Sequence, residues 1–184
     1  MTSENRDSSI SGTGFDPDFM GEQPESALLS LIERVEAQVK MLQFGSFDPN
    51  DALELGLMLV ELAKARTLPI AIDIRRSRHV LFHVSLAGAT PDNDIWIKKK
   101  SRTAARYSEP SLLVGLKGRL GGGTMEDNGW FDQERYSPHG GAFPVYVQGT
   151  GPVATVTVSG LPQMADHELV VEALTLFRSR NEPS

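Results

Sequence analysis

The sequence predicts a single domain of the α/β type, more narrowly α+β, built from helices and β-hairpins. Three observations support this prediction. Residues 25–66 carry apolar side chains at helical spacing. Residues 70–86 contain two β-rich runs on either side of an arginine-rich turn. Residues 143–174 continue as a strand, a glycine-rich turn, a second strand and a helix. The 184 residues are enough to bury a core.

The first 66 residues predict a tail and two helices. Residues 1–22 are rich in Ser, Asp, Gly and Thr, so we expect a flexible tail that can be deleted, followed by one domain at residues 23–180. The first helix carries apolar residues at every third or fourth position. Asp48 as N-cap and Pro49 as the first helical residue predict a second helix to about residue 66. That helix is apolar on most of its circumference, so we expect at least a dimer.

Residues 67–141 predict two strands, two helices and a long loop. Residues 70–74 and 79–86 alternate as strands, with the arginine-rich turn between them. Pro91 begins a helix to about Tyr107, and Pro110 begins a shorter one that ends near Gly118. Residues 119–141 contain six glycines and few apolar anchors. We therefore predict a long loop or a short irregular hairpin, and loops of this length are usually functional or partly mobile.

The C-terminal part predicts a hairpin followed by a helix. Residues 143–148 and 153–159 are β-rich, and the second run has one apolar face. A Gly-Leu-Pro segment ends that strand, and Asp166 is expected to cap the final helix. Gly140 and Gly141 should let the backbone closely approach either a neighbouring strand or a ligand.

Composition excludes several classes of chemistry. The chain has no cysteine, which excludes disulfides, thiolate catalysis and cysteine-ligated metal sites. It has no apolar run of membrane-spanning length and no secretory signal at its N-terminus, so we expect a cytoplasmic protein with no membrane contact. No phosphate-binding loop, serine-hydrolase elbow or zinc-binding helix is present. No catalytic residue can be named, no metal site is expected, and whether the protein is an enzyme stays open.

The positive charge is concentrated in the middle of the chain. Residues 62–119 carry 12 basic and 4 acidic residues, although the whole chain has a net charge of −6. Helical spacing gathers Lys98, Lys99, Arg102 and Arg106 into one basic stripe beside Trp96. This stripe either clamps a small anion, or is a helix face that meets solvent or a sister subunit. Nucleic acid is not expected, because the chain is acidic and has no recognition motif.

Five sequence segments carry a family resemblance: DIR at 73–75, LF at 81–82, NDIWIKK at 93–99, HGG with FP at 139–144, and VSGLP with DH at 158–167. They resemble the haem-degrading-domain superfamily, in particular its GlcG/HbpS-like, uncharacterised branch found in bacteria and fungi. The similarity covers roughly residues 26–178. It implies a profilin-like domain, with an antiparallel sheet of about five strands flanked by helices. It also implies dimers or higher rings, and haem or tetrapyrrole binding as in some relatives.

The candidate cofactor-binding residues are His139, Tyr136, Lys99 and Arg102. His139 stands at the end of the long loop, where its imidazole could face a haem, and Tyr136 is close in sequence. The alternative is that the two glycines only turn the chain and His139 binds a carbonyl. Lys99 and Arg102 would pair with propionates or another small anion.

The remaining histidines and Asp73 favour structural roles. Alternation puts His79 and His83 on one strand face about 13 Å apart, too far to share one metal ion, so we expect one exposed and one hydrogen-bonded ring. Asp73 and Arg75 share a face, which predicts an ion pair at the strand end. His167, in the first turn of the last helix, is expected at the surface or at an interface.

These observations give two hypotheses. The first is an oligomeric cytoplasmic protein that binds haem or another small anionic ligand. The second is a non-enzymatic oligomeric scaffold or partner-binding protein without a cofactor. The colour of the purified protein and its response to haem would distinguish the two hypotheses.

Overall fold

The computed structural model describes residues 24–181, which form eleven elements along the chain. The tail predicted for residues 1–22 lies outside the described residues. In chain order the elements are α1 (Glu25–Met41), β1 (Gln43–Phe44), α2 (Pro49–Ala65), β2 (Ala71–Arg76), β3 (His79–Ser85), α3 (Pro91–Tyr107), α4 (Ser111–Leu120), a 3-10 turn (Met125–Asp127), β4 (Ala142–Val147), β5 (Gly151–Ser159) and α5 (Gln163–Asn181).

The strands form one five-stranded sheet in the order β1-β4-β5-β2-β3. The four predicted strands pair antiparallel, which confirms the two hairpins and the α+β class. Strand β1 was not predicted, and it pairs parallel to β4, so the sheet is mixed. Strand β1 has only two residues, which are too few to show the alternation that identifies a strand in sequence.

The two faces of the sheet differ in chemistry. Helices α2 and α5 cover one face, where they bury the main hydrophobic core with side chains such as Ile72, Ile74, Val156 and Val158. Helix α3 covers the other face, which presents Asp73, Thr155 and Thr157. A second apolar cluster joins α1 to α4 and contains Leu28, Leu31, Ile32, Val35, Leu112, Leu113, Leu116 and Met164. The helix α3 and its loop therefore lie on the polar face of the sheet.

The helix starts were predicted with mixed success. Asp48 is the N-cap of α2, and its Oδ1 accepts from the backbone N–H of Asn50 at 2.7 Å. Asp166 is not the cap of α5, because the helix already begins at Gln163. The Asp166 carboxylate is fully buried and instead accepts from the backbone N–H of Leu161 at 3.0 Å. A buried carboxylate that binds the preceding loop can look like a cap in sequence.

Two predicted placements of histidines were wrong, although His79 is exposed and His83 is hydrogen-bonded to Asp73, as expected. A bulge interrupts the β2–β3 pairing, so His83 pairs with Asp73 and His79 with Arg76. Those partners are three residues apart on β2, which puts the two histidines on opposite faces rather than on one. His167 is fully buried against α1, not at the surface, since its Nε2 lies 2.9 Å from the Gln38 Oε1.

Candidate functional site

Helix α3 and the loop after α4 build the candidate site. The helix begins at Pro91, as predicted, and the N–H of Thr90 donates to the Asn93 Oδ1 at 2.7 Å. The loop runs along the helix, where the N–H of Ser137 donates to the Thr103 Oγ1 at 2.9 Å. Two open clefts result, and α3 contributes side chains to both.

The first, here called the histidine cleft, has a volume of about 340 Å³ and lies near the start of α3. The ring of His139 meets the ring of Trp96 edge-on, with 5.5 Å between centroids. The Nζ of Lys99 lies 5.6 Å from the centroid of the same tryptophan ring. The lining residues are Asp92, Asn93, Trp96, Lys100, His139, Ser159, Gly160, Leu161, Gln163 and Asp166.

The surroundings of the His139 imidazole favour its neutral form. Burial lowers the pKa of His139, and the charges of Lys100 and Arg119 lower it further, while Glu126 raises it. Its Nδ1 lies 2.8 Å from the Oγ of Ser137, so this contact does not involve Nε2. A neutral imidazole is the form that coordinates a metal centre.

A buried ion pair lines the same cleft. The Nζ of Lys100 donates to the Asp166 Oδ2 at 2.7 Å, and both residues are almost wholly buried, at 4% and 0% exposure. Burial raises the pKa of Asp166 to about 6, although Lys100 counteracts it. Sequence reasoning missed this pair. The available signal was the position of Lys100, three residues after Ile97 and four before Ala104 on the buried side of the helix.

The two glycines after His139 are explained by close packing against the protein itself. Gly141 has φ +121°, and a Cβ there would lie 2.5 Å from the Val158 carbonyl oxygen and 3.0 Å from the Lys100 Nζ. A Cβ on Gly140 would clash with the carbonyl of Gln163. The predicted close approach is therefore to strand β5 and the start of α5.

The second, here called the cationic cleft, has a volume of about 410 Å³ and lies on the other side of α3. Arg75 binds the buried Asp73 carboxylate through two hydrogen bonds, one of 2.7 Å, which confirms the predicted ion pair. Asp73 also contacts the His83 Nδ1 at 3.1 Å. The lining residues are Arg75, Ser77, Arg78, Lys98, Ser101, Arg102, Ala105, Arg135, Tyr136 and Thr155.

The four candidate residues do not converge on one cleft. His139 lines the histidine cleft, and Lys99 lies over the tryptophan ring beside it. Arg102 and Tyr136 line the cationic cleft, where the Arg102 Nη1 lies 3.5 Å from the Arg135 carbonyl oxygen. Among residues 24–181, no group of three or more His, Asp or Glu side chains is arranged to hold a metal ion. Within the same range, no helix is both long and apolar enough to span a membrane.

Fold and clefts together define a small α+β domain that carries its candidate site on the polar face of a five-stranded sheet. Comparison with known proteins gives the family. The chain belongs to the family of HbpS-like haem-degrading proteins, whose model matches residues 47–175. This confirms the resemblance stated from the sequence.

Three similar proteins illustrate the relationship. A UPF0303 protein of Streptomyces avermitilis is 49% identical over 156 residues, which cover 85% of this chain and 96% of the relative. The crystal structure of the yeast Ybr137w protein is 31% identical, with a TM-score of 0.75, and covers 88% of this chain and 98% of its own. The crystal structure of a PduOC–haem complex is 16% identical, with a TM-score of 0.61, and covers 71% of this chain and 94% of its own. At that identity the likeness supports the fold alone.

Proposed function

We propose that the protein binds haem, or a similar flat anionic ligand, at the histidine cleft. The observation that carries this proposal is His139, a half-buried neutral imidazole held through Nδ1 by Ser137 and placed against Trp96 in an open cleft. Membership of the haem-degrading family supports the choice of ligand.

The residue types at the histidine cleft suit such a ligand. When bound, haem would supply an iron centre, which an imidazole nitrogen can coordinate. His139 would offer Nε2, Ser137 would fix the ring orientation, and Trp96 would offer an aromatic face. Lys99 would pair with a propionate, since its ammonium lies beside that tryptophan. Arg102, in the other cleft, would reach a propionate only if the ligand extends across α3.

A haem titration followed by absorption spectroscopy tests the proposal. The wild-type protein should show a Soret shift, and His139→Ala should change the spectrum of the complex because the imidazole that would coordinate the iron is lost. Lys99→Ala should weaken affinity roughly five- to tenfold while the spectrum stays the same. Lys64→Ala is the matched control, because it removes an exposed cation on α2, on the opposite face of the sheet.

Two outcomes would contradict the proposal. One is a wild-type protein with no spectral change on addition of haem. The other is a His139→Ala complex with the spectrum of the wild type. Arg102→Ala reports on the extent of the ligand: a loss of affinity equal to that of Lys99→Ala would mean that one ligand contacts both clefts.

We propose in addition that the chain forms a homo-oligomer through α2. Leu53 and Leu57, one helical turn apart, are 49% and 50% exposed, so the sheet does not cover this side of the helix. This observation also favours the second candidate function, an oligomeric scaffold without a cofactor. Sedimentation at micromolar concentration should show at least a dimer, and a 20 kDa monomer would rule out self-association.

A further inference from the structure

We propose that the cationic cleft is a binding site for a small molecule that carries two or more linked phosphates, independent of the ligand of the histidine cleft. Three separate segments supply its cations. Arg78 comes from the β2–β3 turn, Lys98 and Arg102 from α3, and Arg135 from the loop after α4. If these cations only formed a solvated helix face, they would all come from α3. The convergence of three segments on one concavity is typical of a binding site.

Most cations of the cleft have no ion-pair partner among the described residues. Arg75 already binds Asp73. Among the residues that the structure describes, Arg78, Lys98, Arg102 and Arg135 have no carboxylate within 4.0 Å, the limit for an ion pair. Lys98 and Arg102 are like charges at i and i+4, an arrangement that destabilises a helix unless something offsets it. A bound polyanion would provide that offset.

The number of unpaired cations indicates the class of anion. Four cations are balanced by three to four negative charges, which a diphosphate or triphosphate group carries in one compact unit, whereas a carboxylate carries only one. Guanidinium groups match phosphate oxygens with paired hydrogen bonds, and lysine adds a point charge. Hydroxyl donors from Ser77, Thr155 and Tyr136 complete the lining.

The wall of the cleft is held in place by the fold. Arg75 and Thr155 are paired across β2 and β5, and the ion pair with the fully buried Asp73 fixes the Arg75 guanidinium. On the loop, the Tyr136 ring lies 4.9 Å from the Arg106 guanidinium carbon and 6.0 Å from the Phe131 ring. A preorganised wall lowers the entropy cost of binding.

Isothermal titration with inorganic pyrophosphate and tripolyphosphate, at low salt and without divalent cations, tests the proposal. We expect tripolyphosphate to bind more tightly than monophosphate. Arg78→Ala and Arg102→Ala should each weaken it about tenfold. Lys64→Ala should leave the affinity unchanged. ATP in a parallel titration distinguishes the source: equal affinity indicates recognition of the phosphate chain alone, and tighter binding indicates a nucleotide.

Three results would overturn the proposal: no heat of binding, an affinity for tripolyphosphate no better than for monophosphate, or an equal loss in Lys64→Ala, which would mean general charge attraction. His139→Ala separates the two sites. It should retain full affinity for tripolyphosphate even where haem binding is altered, so failure of the haem proposal does not decide this one.

Discussion

Protonation of His167 should destabilise the protein in mild acid. The ring is fully buried, with Nε2 at 2.9 Å from the Gln38 Oε1 and with the Phe143 ring 5.9 Å away. Among the described residues, its Nδ1 has no hydrogen-bond partner. Burial lowers the pKa of His167 to about 4, and the charge of Arg34 contributes. The folded protein therefore keeps this ring neutral well below pH 6.

The sign and size of the effect follow from linkage. In the unfolded chain the ring takes a proton near its ordinary pKa of 6.5, but in the folded protein only near 4. Between those values the unfolded state binds more protons, so the free energy of unfolding falls as the pH is lowered from 6.5 towards 4. At about 1.4 kcal/mol per pH unit, the full loss is about 3 kcal/mol.

The assay must separate the effect of His167 protonation on stability from that of its neighbour Asp166, whose protonation changes stability in the opposite direction. The pKa of Asp166 is raised from 3.8 to about 6, so its contribution favours the folded state in acid and is lost as the pH rises through 6. Urea unfolding of the wild type and of His167→Gln should be measured at pH 7.5, 5.5 and 4.5. Only the difference between the two proteins isolates His167.

Relative to the wild type, His167→Gln should gain about 2 to 3 kcal/mol of stability between pH 7.5 and pH 4.5. His79→Gln is the control, because His79 is exposed on β3 and should give no such gain. If wild type and His167→Gln lose stability in parallel as the pH falls, burial of His167 does not govern its protonation and the reasoning is refuted.

Two further predictions concern the buried pair of Lys100 and Asp166 and the glycine packed beside it. Lys100→Met leaves the buried Asp166 carboxylate without its cation, so the free energy of unfolding, measured with urea at pH 7.5, should fall by about 3–5 kcal/mol. Adding Asp166→Leu to this variant should recover part of the loss. If no stability is recovered, the pairing is contradicted. Gly141→Ala should lower the free energy of unfolding by about 2 kcal/mol or more, because Gly141 has a positive φ and a Cβ there would contact the Val158 carbonyl. A marked drop in the melting temperature would show this loss. Gly149→Ala is the control: Gly149 also has a positive φ, but a Cβ there would meet no atom, so the loss should be smaller.

The elements that the sequence predicted well are those with a local signal. Asp48 and Pro49 located the start of α2, Pro91 located the start of α3, and β-rich runs located β2 to β5. The features that were predicted wrongly depend on tertiary contacts. The bulge at Ile74 and Arg75 moves the His79 side chain to the other face of the sheet, and no residue type in the sequence predicts this bulge. Asp166 resembles a cap until the buried Lys100 is seen opposite it.

The sequence offers candidate residues for a site but does not show how they are grouped. His139, Tyr136, Lys99 and Arg102 were all selected, because loop histidines and basic helices are local patterns. Their division between two clefts depends on the path of the loop across α3, which the hydrogen bond from Ser137 to Thr103 fixes. Contacts between residues 34 positions apart leave no periodic signal in the chain.

Helix α3 is a wall shared by both clefts, with Lys100 facing one and Ser101 the other. Neighbouring residues on a rigid helix move together, so a ligand that shifts α3 at one cleft also changes the shape of the other. The coupling free energy between two such ligands is reciprocal: whatever factor the first imposes on the affinity of the second, the second imposes on the first. Because the two clefts share this helix, any coupling between them would be measured by repeating each titration in the presence of the other ligand.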